Sequence, residues 1–133
     1  MARRGEPLKA ILGPLEQDVM DAVWQLGPAT VRDVHEQLAR SRKIAYTTVM
    51  TTMSRLAAKG LLAKDSSGLA HVYSARVSRE NFARDTIQSV MAWLLDRYPQ
   101  SAVSYLAEVV DDVDDVTLES LRDAVARRRA EEA

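Results

Sequence analysis

The chain has no cysteine, which excludes disulfides, thiolate metal sites and cysteine nucleophiles. Nowhere do apolar residues run for the roughly 20 positions that a membrane span needs, so no membrane insertion is expected. The start, MARRGEPLKAILGPLE, has arginines but no apolar core of signal-peptide length before Pro14. A cytoplasmic location is therefore expected. Asparagine occurs once, at Asn81, and lysine is scarce, 4 residues against 14 arginines. That bias suits a GC-rich genome and carries no functional message. Net charge is also small, −1, but it is unevenly spread. Residues 1–80 hold 12 Lys and Arg against 8 Asp and Glu, whereas residues 81–133 hold 6 against 11. A basic first part joined to an acidic second part suggests that only the first meets a polyanion.

With 133 residues, 47% hydrophobic and 28% charged, the chain can form one compact domain, or a small domain with an appendage. Pro14 suits a first helical position, Leu15, Val19, Val23 and Leu26 recur at helical spacing, and Gly27-Pro28 is a stop. Thr30 is placed to cap a second helix striped by Val31, Val34 and Leu38. After the connector RKIA, a third helix runs from Tyr46 to Gly60, where glycine can close it. The turn signal Asp65-Ser66-Ser67-Gly68 then separates two runs of strand type, the second alternating from Leu69 to Ser74. Three short helices and a hairpin are the order of a winged helix. The expected fold is mainly α, with a winged helix-turn-helix domain over residues 1–77 and a helical domain over 78–133. In the latter, Ser78 can cap a helix carrying Phe82, Ile87, Val90, Met91, Leu94 and Leu95 that stops at Pro99. Val103, Leu106 and Val110 mark a second segment, and Leu118, Leu121 and Val125 a third. About 55 residues are too few to cover such stripes, so a second copy of the chain is expected to do so.

The third helix contains the most informative stretch, YTTVMTTMSRLAAKG, with four threonines and no acidic residue. Threonine is a mediocre helix former, because its branched Cβ loses freedom against the preceding turn. On a wheel with Thr47 at zero, Thr51, Arg55, Thr48, Lys59 and Thr52 fall between about 0° and 140°. Leu56, Val49, Met53, Ala57 and Met50 fall between about 180° and 300°, with Tyr46 leading onto that side. A merely solvated face favours Glu, Lys, Gln and Arg. Short hydroxyls with methyl groups instead suit phosphates, base edges and the thymine methyl, and the lack of acid lets a helix enter a major groove.

These residues carry a resemblance. YTTVMTTMSRLAAKGLL, with LEQDVMDAVW and TVRDVHEQL before it and GLAHVYSARVSRE after it, resembles the penicillinase-repressor (BlaI/MecI) family of bacterial winged-helix repressors. The likeness is closest from Leu15 to Arg79 and continues in order through the C-terminal helices. It implies a homodimer on an inverted-repeat operator, with Thr47, Thr48, Thr51, Thr52 and Arg55 nearest the bases. Arg42, Lys43, Lys59, Lys64, Ser67 and His71 would meet the backbone. Tyr46 would be a core residue or, through its hydroxyl, a phosphate donor. Ile87, Val90, Met91, Leu94, Val103, Leu106, Leu118, Leu121 and Val125 would form the dimer interface. The family also implies release through cleavage of that domain by a membrane-bound sensor metalloprotease, and a place in antibiotic resistance. Some relatives are cut at an Asn-Phe pair. Tyr105-Leu106 takes the corresponding position here, while Asn81-Phe82 starts the first dimerisation helix, so the cleavage site is not transferred. Without cysteine, the copper-sensing branch does not fit.

Neither His35 nor His71 has a carboxylate constellation that would make a metal site. The aspartates at 111, 112, 114 and 115 lack the glycine and terminal glutamate of a calcium loop and read as a hinge and helix cap. Nothing resembles a nucleophile with its base or a phosphate-cradling glycine loop, so neither an enzyme nor a cofactor is expected. Two other functions remain open: a winged helix that binds protein rather than duplex, and a regulator with a small molecule near Trp93, Tyr98 and Tyr105.

Overall fold

The computed structural model describes residues 11–132; the stretch before Ile11, read above as the start of the DNA-binding domain, lies outside the described residues. The chain divides into two compact units, Met1–Val90 and Met91–Ala133. The described elements of the first are α1 (Pro14–Leu26), β1 (Ala29–Thr30), α2 (Val31–Ala39), α3 (Tyr46–Ala58), β2 (Leu62–Asp65), β3 (Val72–Ala75) and the start of α4 (Arg79–Arg97). The second holds the rest of α4, then α5 (Pro99–Asp112) and α6 (Asp115–Glu132).

The helix ends follow from single residues. Gly27 takes φ 79° and bonds its amide back to the Val23 carbonyl at 2.8 Å. Gly60 takes φ 82° just beyond α3. Both sit in the left-handed region that only glycine enters cheaply. At the start of α2 the Thr30 hydroxyl accepts from the Asp33 amide (3.1 Å), and the Asp33 carboxylate accepts from the Thr30 amide (3.0 Å). This reciprocal cap fixes the entry of the helix. Ser78 caps α4 through the Asn81 amide (3.1 Å), and Asp114 caps α6 through the Thr117 amide (2.7 Å).

The sheet has three antiparallel strands in the order β1-β3-β2. Its third member, β1, pairs Ala29 with Tyr73 and Thr30 with Val72; two residues are too few to show a strand period. The hairpin register pairs Leu62 with Ala75 and Asp65 with Val72. The loop therefore takes Ser66 to His71, and the alternation expected from Leu69 begins only at Val72. Leu69 is fully exposed at the wing tip, outside the core, whose sheet members are Ala29, Leu62 and Tyr73.

One core holds the first unit together. Val19, Met20 and Val23 of α1, Val34 of α2, Val49, Met53 and Leu56 of α3, and Leu62 and Tyr73 of the sheet are sealed from water. Trp24 extends this core to α4. Its indole Nε1–H donates to the Val77 carbonyl at 2.9 Å, its ring meets Phe82 edge-on at 5.7 Å, and the Arg79 guanidinium lies 5.4 Å from its centroid. Trp24→Phe keeps most of the apolar contact but loses the indole donor, at a cost of about 1 kcal/mol. The melting temperature of the first unit should fall by about 4–8 °C, read by circular dichroism.

Candidate nucleic-acid interface

Helix α3 turns Val49, Thr52, Met53 and Leu56 inward. Tyr46, Thr47, Thr48, Met50, Thr51, Ser54, Arg55, Ala58 and Lys59 are exposed. Thr52, expected among the base-contacting residues, is 5% exposed, and its hydroxyl donates to the Thr48 carbonyl at 2.8 Å. It is a core residue, because the strip from Thr52 to Met53 packs against the rest of the unit. The opposite edge is open. Tyr46 and Met50, which the wheel turns towards the core, are 47% and 42% exposed. Ser54 escaped notice in the sequence, yet it lies between Thr47 and Met50 on the open arc, at about 340° on the same wheel. The exposed face is thus rotated away from Thr52 and towards Ser54.

That face presents hydroxyls, methyls and cations without a carboxylate. The Thr51 hydroxyl donates to the Thr47 carbonyl at 2.9 Å, leaving its lone pairs and methyl group outward. Ala45, at the N-cap, provides no side-chain cap, and the first turn of α3 has no acidic residue. The positive end of the helix dipole is therefore uncompensated. His35 of α2 fixes where that end lies. Its Nε2 donates to the Ile44 carbonyl at 2.8 Å, and its ring meets Tyr46 edge-on at 5.8 Å. This bond ties α2 to the turn before α3, beside the core packing of Val34 and Leu38 against Val49 and Met53, and has no sequence signal.

The basic side chains differ in state. Arg42 pairs with Asp18, and Lys59 Nζ lies 2.7 Å from Glu16 Oε2, both acids belonging to α1. The Lys59 ammonium holds the Glu16 carboxyl below its ordinary pKa, helped by the Gly13 amide. Among the described residues the side chains of Arg55, Lys43 and Lys64 make no hydrogen bond or ion pair, although the Arg55 charge also helps to lower the Glu16 pKa. On the wing, Lys64, Ser67 and His71 are all exposed. Asp65 accepts from the Ser67 amide at 2.9 Å, the bond that keeps its carboxyl acidic and turns the loop.

Residues 12–127 match the family model described as "Penicillinase repressor". Two relatives, each a transcriptional regulator BlaI of a Mycobacterium tuberculosis strain, are 37% identical over 120 residues, or 90% of this chain and 86% of theirs. The chain belongs to the penicillinase repressor family. As a member it is a transcriptional repressor, with the winged-helix fold described above. Among solved structures, Bacillus licheniformis BlaI, in its monomeric form in complex with the blaP half-operator, is 22% identical with a TM-score of 0.47. The match covers 53% of this chain and 87% of that one. The DNA-binding domain of the repressor BlaI is 21% identical with a TM-score of 0.49, over 61% of this chain and 93% of that one.

In this penicillinase repressor the remaining expected contacts fall on α4 to α6. Ile87, Val103, Leu106, Leu121 and Val125 are exposed, and Val90, Met91, Leu94 and Leu118 are half-buried. Not one side chain from Met91 to Glu132 is buried. Trp93 and Tyr98 pack edge-on at 6.0 Å, whereas Tyr105 is exposed. Among the described residues no helix is long and apolar enough to cross a membrane.

Proposed function

We propose that this repressor is a cytoplasmic homodimer that reads an inverted-repeat operator through α3. The observation that carries the reading is the exposed, acid-free face of Thr47, Thr48, Thr51, Ser54 and Arg55 beside an uncapped helix N-terminus. A helix of that chemistry tolerates close approach to base edges and phosphates together. Arg42, Lys43, Lys59 and Lys64 serve the phosphates, the exposed Tyr46 hydroxyl joins them, and Ser67 and His71 bring the wing to the backbone. Dimerisation is supported by the second unit, whose apolar side chains have no cover of their own. Small modules need such cover from elsewhere. A two-fold dimer matches a two-fold operator. Cleavage of the helical unit by a membrane-bound sensor metalloprotease would separate the two reading heads. Tyr105 on α5, outside the proposed interface set, is exposed and supports access to that helix.

The test uses the duplex upstream of the repressor's own gene and a shuffled duplex of equal length. Arg55→Ala should weaken binding to the upstream duplex by roughly 10-fold or more, as loss of a base or phosphate contact of about 1–3 kcal/mol requires. Thr52→Val, which keeps the shape of a buried side chain, should leave binding unchanged. Equal binding by the wild type to both duplexes, or indifference to Arg55, would remove α3 as the reading element.

A further inference from the structure

Two of the cations assigned to phosphates are already engaged. Lys59, directly after α3, is held by Glu16, and Arg42, in the turn before α3, is held by Asp18. Glu16 is itself fixed, because one carboxylate oxygen accepts from the Gly13 amide at 3.2 Å while the other takes Lys59. Its side chain is only 17% exposed, whereas that of Lys59 is 42% exposed. The Arg42–Asp18 pair, 39% and 41% exposed, adds little to stability, and the Lys59 ammonium that Glu16 holds is itself open to solvent.

We propose that Glu16 and Asp18 are specificity-determining residues, tethering Lys59 and Arg42 so that only a duplex docked in one register gains their charge. An ammonium has three donors and a guanidinium five. Each can therefore keep its carboxylate and still bond a phosphate that arrives at the tethered position. A free lysine or arginine sweeps a wide volume and rewards any register. Binding without sequence preference is almost wholly electrostatic, so it loses most when two long cations are held in place and partly neutralised. Glu16 and Asp18 thereby limit attraction to generic DNA, leaving α3 to choose the site. This inference rests on α3 being the reading helix.

Glu16→Gln and Asp18→Asn keep the shape of each side chain, and Gln still accepts from Gly13. Each should raise affinity for the shuffled duplex and steepen its log K against log salt slope by about 0.9 per freed cation. That is an added loss of roughly threefold between 50 and 200 mM salt. Affinity for the upstream duplex should stay level or fall, so the ratio between the two drops. Unchanged slopes, or equal gains on both duplexes, would overturn the tether. Arg55→Ala run alongside separates the failures: if it too has no effect, the reading through α3 is wrong; if it weakens binding while the α1 variants do nothing, only the tether is wrong. The two acids occupy separate pairs, so either variant tests the idea alone if the other fails to fold.

Discussion

Thr51→Glu should abolish operator binding while leaving the melting temperature of the protein almost unchanged. Thr51 is exposed, and among the described residues its hydroxyl serves only the Thr47 carbonyl. Glutamate is the better helix former, and surface changes away from special features stay within about 0.5 kcal/mol. On DNA the outcome reverses. Base edges in the major groove are rich in acceptors and are flanked by phosphates, so a carboxylate there meets like charge from both. Such juxtapositions cost several kcal/mol, and each 1.4 kcal/mol is tenfold. The expected loss is on the order of 10³-fold by fluorescence anisotropy. Retention of binding within a few-fold would mean that the centre of this face does not enter a groove.

The second large effect belongs to α5. Val103, Leu106 and Val110 recur at spacings of three and four and are 60%, 42% and 36% exposed. Val103→Asp combined with Leu106→Asp removes nothing from an interior, yet places two carboxylates where a second copy would seat. Desolvating an unpaired carboxylate is prohibitive, so sedimentation should report a monomer for the variant, against the dimer proposed for the wild type. Affinity for a duplex with both half-sites should then fall by about 10²–10⁴, because the heads no longer bind as one ligand, while half-site affinity stays the same. A variant that still sediments as a dimer would place the interface elsewhere.

Local patterns made the first unit legible. Pro14, Gly27, Thr30 and Gly60 act at single positions, and the apolar spacing of α1 to α3 marks their inner faces. Reading failed where a feature depends on partners distant in sequence. Thr52 and Met50 lie at the edges of the α3 wheel, where packing by other elements, not periodicity, decides burial; Tyr46, well inside the apolar arc, is open because it is the first residue of the helix. Strand β1 exists because Tyr73 and Val72 lie beside it, and Leu69 lies outside both the hairpin ladder and the core. The bonds from His35 to Ile44 and from Trp24 to Val77 span 9 and 53 positions, and no spacing in the chain announces them. Charge showed the same limit: Arg42 and Lys59 read as free cations until α1 brought Asp18 and Glu16 beside them.

The stretch from Met91 to Glu132 has no dry interior of its own. In a repressor that pairs through it, a lone protomer opens there readily, and housekeeping proteases degrade opened chains. If the protomers pair through this stretch, lifetime in the cell would rise with abundance. A falling pool of repressor would shed its survivors faster, turning a gradual decline into an abrupt release of the genes it silences.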